Sequence, residues 1–226
     1  MGNFSVNDLG VICGRFGHEH IGHLSLFEAA MSLCKRTLIL VGSAQEFGTL
    51  RNPYRVGTRI DVIKESFPSI HEGKLMVRGL NDLTNEFDIT SDWGKYVKSE
   101  VEHHMHKFAN LMVYGNDEFR SSWFAPEDLV GTAELILPRS TIPISGTMIR
   151  GMLLIDDEKS WQNYTPQLIH DMYGRLRREL MDVPVYKEIY DHIRKGELTL
   201  EHFMRVYKKY EEEDKKVKLA QLKNDN

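Results

Sequence analysis

Two short stretches concentrate the residue types that handle phosphate. The first, Gly14-Arg15-Phe16-Gly17-His18-Glu19-His20-Ile21-Gly22-His23, sets His20 and His23 around Gly22. An apolar run at 9–13 precedes it, and helical spacing follows over 23–35, with Leu24, Phe27, Ala30, Met31 and Cys34 on one stripe. The two imidazoles therefore bracket a helix start. A helix N-terminus presents unpaired amides and a partial positive charge, and imidazole N–H groups beside it can donate to phosphate oxygens. One histidine there would be an ordinary cap; the ordered set strand, Gly, His-x-Gly-His, helix is far rarer by chance.

The second stretch is Ile144-Ser145-Gly146-Thr147-Met148-Ile149-Arg150. Ser145 is a good N-cap, Gly146 and Thr147 expose amides in the first turn, and Arg150 reaches back as a fork-shaped donor. Alone this is a capped helix with a surface arginine. Opposite the first stretch it becomes a second phosphate clamp.

Elements must bring the two together. Apolar runs at 9–13, 37–41, 74–77, 111–114 and 134–137 alternate with helical patterns at 23–35, 57–67 and 93–108. Such alternation predicts a Rossmann-like, doubly wound parallel α/β sheet of about five strands, with ligands beyond the strands' carboxyl ends. Strand patterns stop after residue 155, and 161–178 and 185–226 read as helical. The expected organisation is a domain over 1–155 and a C-terminal helical segment over 156–226, ending in a charged, solvated helix or frayed tail.

The chain has 226 residues, 41% hydrophobic and 27% charged, which suits a globular core. A net charge of -4 argues against a dedicated nucleic-acid binder. No apolar run approaches a membrane span, and MGNFSVNDLG lacks the basic start and apolar core of a signal peptide, so a cytoplasmic protein without membrane partners is expected. Cys13 and Cys34 fit no zinc or redox spacing and read as buried hydrophobes. His103, His104 and His106 cluster on a helix without a partner at metal-ligand spacing. The aromatics Tyr186, Tyr190, Phe203, Tyr207 and Tyr210 read as packing between C-terminal helices.

HIGH at 20–23 followed by ISGTMIR at 144–150 resembles the paired signature of the nucleotidylyltransferase superfamily, HxGH and ISSTxxR. Gly14-Arg15-Phe16, Gly42-Ser43-Ala44-Gln45, Arg51-Asn52-Pro53-Tyr54 and the stretch through Asp156-Asp157 and Trp161 to Pro166 resemble one branch of it. That branch is the archaeal-type nicotinamide-nucleotide adenylyltransferases and their bacterial and viral relatives. In one departure, Gly17-His18-Glu19 stands where the family carries Gln-Pro or Asp-Pro, which leaves the loop without a proline's restraint.

The resemblance implies adenylyl transfer from ATP, with Mg²⁺ on its phosphates, to nicotinamide mononucleotide or nicotinate mononucleotide. It puts His20 and His23 around the α-phosphate and Ser145, Thr147 and Arg150 on the β- and γ-phosphates, lines the nucleotide's loop with Gly14, Arg15 and Phe16, and adds Gly22 and Gly146 to the ATP-binding residues. Ribose recognition falls to Gly115 and Asp117, and the acceptor to Gly42, Ser43, Arg51, Asn52, Arg59 and Trp93. From the residues alone, Asp117 reads equally as a helix cap, Trp93 as a core anchor and Arg59 as a surface ion pair. Other acceptors (phosphopantetheine, or a small phosphate taking a cytidylyl group) stay open, as does a nucleotide-binding regulator without turnover. A homo-oligomer is expected by the same resemblance.

Overall fold

The apolar runs become the strands of one parallel sheet. In the computed structural model, which describes residues 7–70, 73–84, 91–115, 123–138 and 142–224, these are β1 (Asn7–Gly14), β2 (Cys34–Val41), β3 (Leu75–Gly79), β4 (Leu111–Gly115) and β5 (Ala133–Leu137). Their order is β3-β2-β1-β4-β5, every pairing parallel. Strand order therefore reverses at β1, whose carboxyl end is Gly14, beside Val41 of β2.

Side chains alternate along each strand and feed two separate cores. Val11, Leu38, Leu40 and Met112 pack with Val97, Val101 and Met105 of helix α3 (Asp92–Met105). Ile12, Ile39, Val41 and Val113 pack on the other face with Phe27 and Ala30 of α1 (Ile21–Leu33) and Ile63 of α2 (Val56–Glu65). Cys13 and Cys34 are buried and not joined by a disulfide, and they pack as hydrophobes, as expected.

A third core joins α4 (Gly146–Leu154) to everything beyond it: Ile149, Leu153, Trp161, Leu176, Tyr186, Ile189 and Phe203 pack together with Leu50 and Tyr54. The helical pattern over 161–178 is not one helix. Pro166 has no N–H to donate and forces an extended Thr165 (φ -121°, ψ 153°), so α5 (Glu158–Tyr164) stops and a 3-10 turn, Gln167–Met172, leads into α6 (Tyr173–Met181). The pattern over 185–226 likewise divides into α7 (Pro184–Ile193) and α8 (Leu200–Asn224), with Gly196 between them and the Thr199 hydroxyl accepting from the His202 amide at the new start. The charged C-terminal stretch is helical through Asn224.

Candidate active site

Where β1 ends, the chain turns sharply. Phe16 adopts φ 45°, and its ring lies against Gly14 so closely that a Cβ there would meet Cζ at 2.5 Å. Gly14 is glycine because the ring of Phe16 takes that space. His20 then caps α1: its extended backbone lets Nδ1 accept from the Gly22 amide at 3.1 Å, which leaves the neutral ring's proton on Nε2. The His20 ring stacks on His23, centroids 3.9 Å apart, and Phe16 meets His23 edge-on at 5.1 Å.

The second stretch starts α4 as expected, Ser145 Oγ accepting from the Met148 amide at 3.2 Å. Arg150, however, is no surface residue: it is 6% exposed. Its Nη2 donates to Thr147 Oγ1 at 3.0 Å and to the Tyr207 hydroxyl at 3.2 Å. Nη1 would lie 3.3 Å from a Cβ on Gly17 and 3.5 Å from one on Gly146, so the guanidinium runs between the two jaws through space that both glycines leave open. Among the described residues no carboxylate pairs with it, and Nε is buried without a hydrogen-bond partner. A buried cation held only by neutral groups is a standing site for an anion, since desolvating an uncompensated charge is costly.

That guanidinium lines a cleft of about 230 Å³ together with Gly14, Arg15, Phe16, Gly17, His23 and Leu26 from the first jaw and Ser145, Gly146 and Thr147 from the second. Arg51 and, from α8, Tyr207 and Glu211 complete the lining. His20 and Gly22 are not part of the wall, the His20 ring being stacked on His23. Arg59 is 2% exposed, neither a surface ion pair nor a wall residue. Its Nη1 donates to Arg15 O at 2.8 Å and Gly42 O at 2.7 Å and its Nη2 to Ser43 O at 2.9 Å, tying the ends of β1 and β2 together. Burial lowers its pKa to about 10, leaving it charged at neutral pH. Ser43, at φ 50°, donates through its amide and hydroxyl to Asp82 Oδ1, and buried Asn52 donates to Glu46 Oε2 at 2.8 Å. Trp93 is buried beside Trp123, ring centroids 5.3 Å apart, and donates to Thr84 Oγ1 at 2.9 Å. Gly42, Ser43, Asn52, Arg59 and Trp93 thus lie outside the cleft wall, Gly115 ends β4, and Asp117 falls outside the described residues.

Sequence reasoning missed how the proline-less loop is held. His18 and Glu19 are 3% and 1% exposed. His18 Nδ1–H donates to Glu19 O at 3.0 Å, and Trp161 Nε1–H donates to His18 Nε2 at 3.4 Å, a pair of bonds only neutral imidazole can make. Burial accordingly drives its pKa down to about 3. Burial pushes the Glu19 carboxyl up to about 8, with Oε2 3.0 Å from Ser66 Oγ, which also lies 3.0 Å from Val62 O. A neutral acid donating to Ser66, and Ser66 donating to Val62 O, uses each proton once. The loop is pinned by these side chains instead of a proline. Neither His18 nor Glu19 belongs to a periodic pattern, so spacing could not flag them. Tyr207 did lie in the aromatic series read as packing; its ring is buried, but its hydroxyl reaches Arg150.

A doubly wound parallel sheet with an arginine-lined cleft at the carboxyl end of β1, where strand order reverses, defines the α/β class that binds ligands at such switch points. The cytidylyltransferase-like family model matches residues 11–152, and the chain belongs to that family within the nucleotidylyltransferase superfamily. It is similar to the nicotinamide-nucleotide adenylyltransferase of Thermococcus sibiricus, 25% identical over 201 residues that cover 87% of this chain and 97% of that one. The proteins of the same name from Saccharolobus solfataricus (36% identical over 61 residues) and Aeropyrum pernix (29% over 90) are matched along 27% and 39% of this chain. Those two matches span 36% and 50% of the relatives' own lengths. Among solved structures, a bifunctional NMN adenylyltransferase/ADP ribose pyrophosphatase from Francisella tularensis superposes with a TM-score of 0.60 at 17% identity, covering 82% of this chain and 52% of that one. The nicotinic acid mononucleotide adenylyltransferase of Plasmodium falciparum gives 0.50 at 14%, covering 79% and 99%. These likenesses establish the fold. No helix among the described residues is long and apolar enough to cross a membrane.

Proposed function

We propose that this chain transfers the adenylyl group of ATP to nicotinamide mononucleotide or nicotinate mononucleotide, releasing pyrophosphate and the dinucleotide. A phosphate oxygen of the acceptor attacks the α-phosphorus in line, the bond to the α–β bridging oxygen breaks, and pyrophosphate leaves with that electron pair. No covalent enzyme intermediate is required, so the protein's work is to align two anions and stabilise the charge that builds on phosphorus.

The observation that carries this reading is Arg150: a buried guanidinium with no carboxylate among the described residues, in one cleft with His23 and the Thr147 hydroxyl. His23 contacts the α-phosphate, positioned by His20; Ser145, Thr147 and Arg150 take the β- and γ-phosphates; Arg15 meets them from the first loop. The cleft wall offers guanidinium, imidazole and hydroxyl donors and, among the described residues, a single carboxylate, Glu211, a set that suits phosphate rather than a bare cation. Mg²⁺ would come with ATP and would supply charge neutralisation on its phosphate oxygens. Arg51 meets the acceptor, and Arg59, Asn52 and Ser43 shape the loops on that side. The ribose contact of Asp117 and the ring contact of Trp93 follow from the family resemblance.

Incubation of the purified protein with ATP, Mg²⁺ and each candidate acceptor tests this directly. Pyrophosphate together with a dinucleotide is expected from one or both pyridine mononucleotides. Pyrophosphate only with phosphopantetheine, or only from CTP and a small phosphate, would reassign the acceptor. ATP binding without turnover of any acceptor would make the protein a nucleotide sensor.

A further inference from the structure

The C-terminal helix supplies a third wall of the cleft. Tyr207 and Glu211 lie one turn apart on α8, share a face, and both line the cavity. The Tyr207 hydroxyl accepts from Arg150 Nη2 at 3.2 Å and donates to Leu50 O at 3.4 Å, a carbonyl that also accepts from the Tyr186 hydroxyl at 2.8 Å. These bonds fix that turn of α8 against the second jaw. Glu211 is thereby held at the cleft, its Oε1 3.6 Å from Arg51 Nη2.

Every other permanently charged side chain lining the cleft, among the described residues, is an arginine: Arg15, Arg51 and Arg150. A carboxylate in such company opposes a polyanion. Stability does not call for it, because the side chains of Arg51 and Glu211 are 28% and 42% exposed and pairs of that kind contribute little. Its neighbours Glu212 and Glu213 face solvent, so the helix had room to turn its acidic residues outward.

We propose that Glu211 determines specificity for the form of the polyphosphate, favouring the divalent-cation complex over the free anion. The inference rests on reading this cleft as the ATP site. An incoming phosphate competes with Glu211 for Arg51, and the carboxylate left behind repels what has arrived. Free polyphosphate carries more negative charge than its cation complex and is repelled more. With the cation present, the carboxylate that Arg51 gives up meets positive charge instead.

Calorimetric titration of the full chain with ATP, once in chelator and once in excess Mg²⁺, tests this on the wild type, Glu211→Gln and the exposed control Glu212→Gln. The Glu211→Gln variant is expected to bind metal-free ATP about three- to tenfold tighter while the Mg²⁺ complex changes less than about twofold. The Glu212→Gln variant is expected to change neither, and the thermal midpoint checks that each variant is folded. Equal shifts in both forms, weaker binding of both, or the same shift from Glu212→Gln would overturn the assignment. If the wild type binds ATP in neither form, the ATP-site reading falls first; if it binds both and Glu211→Gln leaves their ratio unchanged, only the role of Glu211 falls.

Discussion

His20 and His23 stack face to face on the first turn of α1, their centroids 3.9 Å apart and their planes within 22°. Only His23 lines the cleft; His20 spends its Nδ1 on the Gly22 amide. The two imidazoles should therefore fail differently. His23→Ala is expected to lower turnover by on the order of 10²–10³, the usual cost of a lost transition-state donor, with little change in thermal midpoint. His20→Ala should lower turnover less and lose a helix cap worth about 1 kcal/mol, about 2–4 °C in a chain this long. His20→Asn should restore the midpoint, because asparagine caps equally well. Pyrophosphate release and a thermal melt on the three variants check this; identical profiles for His20→Ala and His23→Ala would contradict the division.

Arg150 makes the opposite test, of function against stability. Its guanidinium is buried on Thr147 and Tyr207, without a carboxylate among the described residues. Burying such a charge costs desolvation that neutral partners do not fully repay, so replacing it with an apolar side chain of similar length should not harm the fold. Arg150→Met is expected to hold or raise the thermal midpoint while ATP binding weakens by about 2–5 kcal/mol, the range seen when one partner of a buried charged contact is removed. A lower midpoint with ATP affinity intact would mean that the arginine serves the fold and not a ligand.

Stability should depend on pH through the two buried residues of the first loop. His18 is held neutral, with its pKa down from 6.5 to about 3, so between those values the unfolded chain binds the extra proton and stability rises with pH. Glu19 is raised from 4.5 to about 8, so between those values the native chain holds the extra proton and stability falls as pH rises. The slopes oppose one another from 4.5 to 6.5, which predicts a plateau there, an acid limb below it and a basic limb from 6.5 to about 8. Each limb has a limiting slope of about 1.4 kcal/mol per pH unit. Denaturant unfolding from pH 3 to 9 should show both limbs, His18→Gln flattening the acid one and Glu19→Gln the basic one. A wild-type profile still rising between pH 6.5 and 8 would rule out a buried neutral Glu19.

Local rules made much of this legible in advance. The five strands lie within a few residues of the apolar runs, and the stretches at 14–23 and 144–150 open helices with His20 and Ser145 as caps, because strand, glycine, cap and helix are written in consecutive residues. What depended on distant partners was not legible. Arg59 looked like a ligand contact or a surface charge until the carbonyls of Arg15, Gly42 and Ser43 closed around it. His18 and Glu19 looked like a weakened loop until Trp161 and Ser66 met them. The tyrosines of α7 and α8 announced packing by their spacing, but nothing in spacing says that the Tyr207 hydroxyl meets Arg150.

The return of α8 to the cleft hinges on one close approach, which gives a test of whether the C-terminal helix belongs to the working protein. A Cβ on Gly151 of α4 would lie 2.5 Å from Phe203 Cδ1 and 2.6 Å from Leu200 Cδ1, so α8 packs where only glycine permits. Gly151→Ala should overpack this contact at a cost of about 1–3 kcal/mol and, by lifting the turn that carries Tyr207, weaken ATP binding as well. Phe203 is fully buried in the same core, and Phe203→Ala should cost about 3–5 kcal/mol through the cavity it leaves. In the double variant the new methyl group enters space the ring has vacated, so the two costs should not add, the shortfall falling within the roughly 0.5–3 kcal/mol seen for contacting residues. Denaturant midpoints for the two single variants and the double close the cycle. Strict additivity would mean that α8 does not rest on Gly151, and Tyr207 and Glu211 would then lose their place in the cleft.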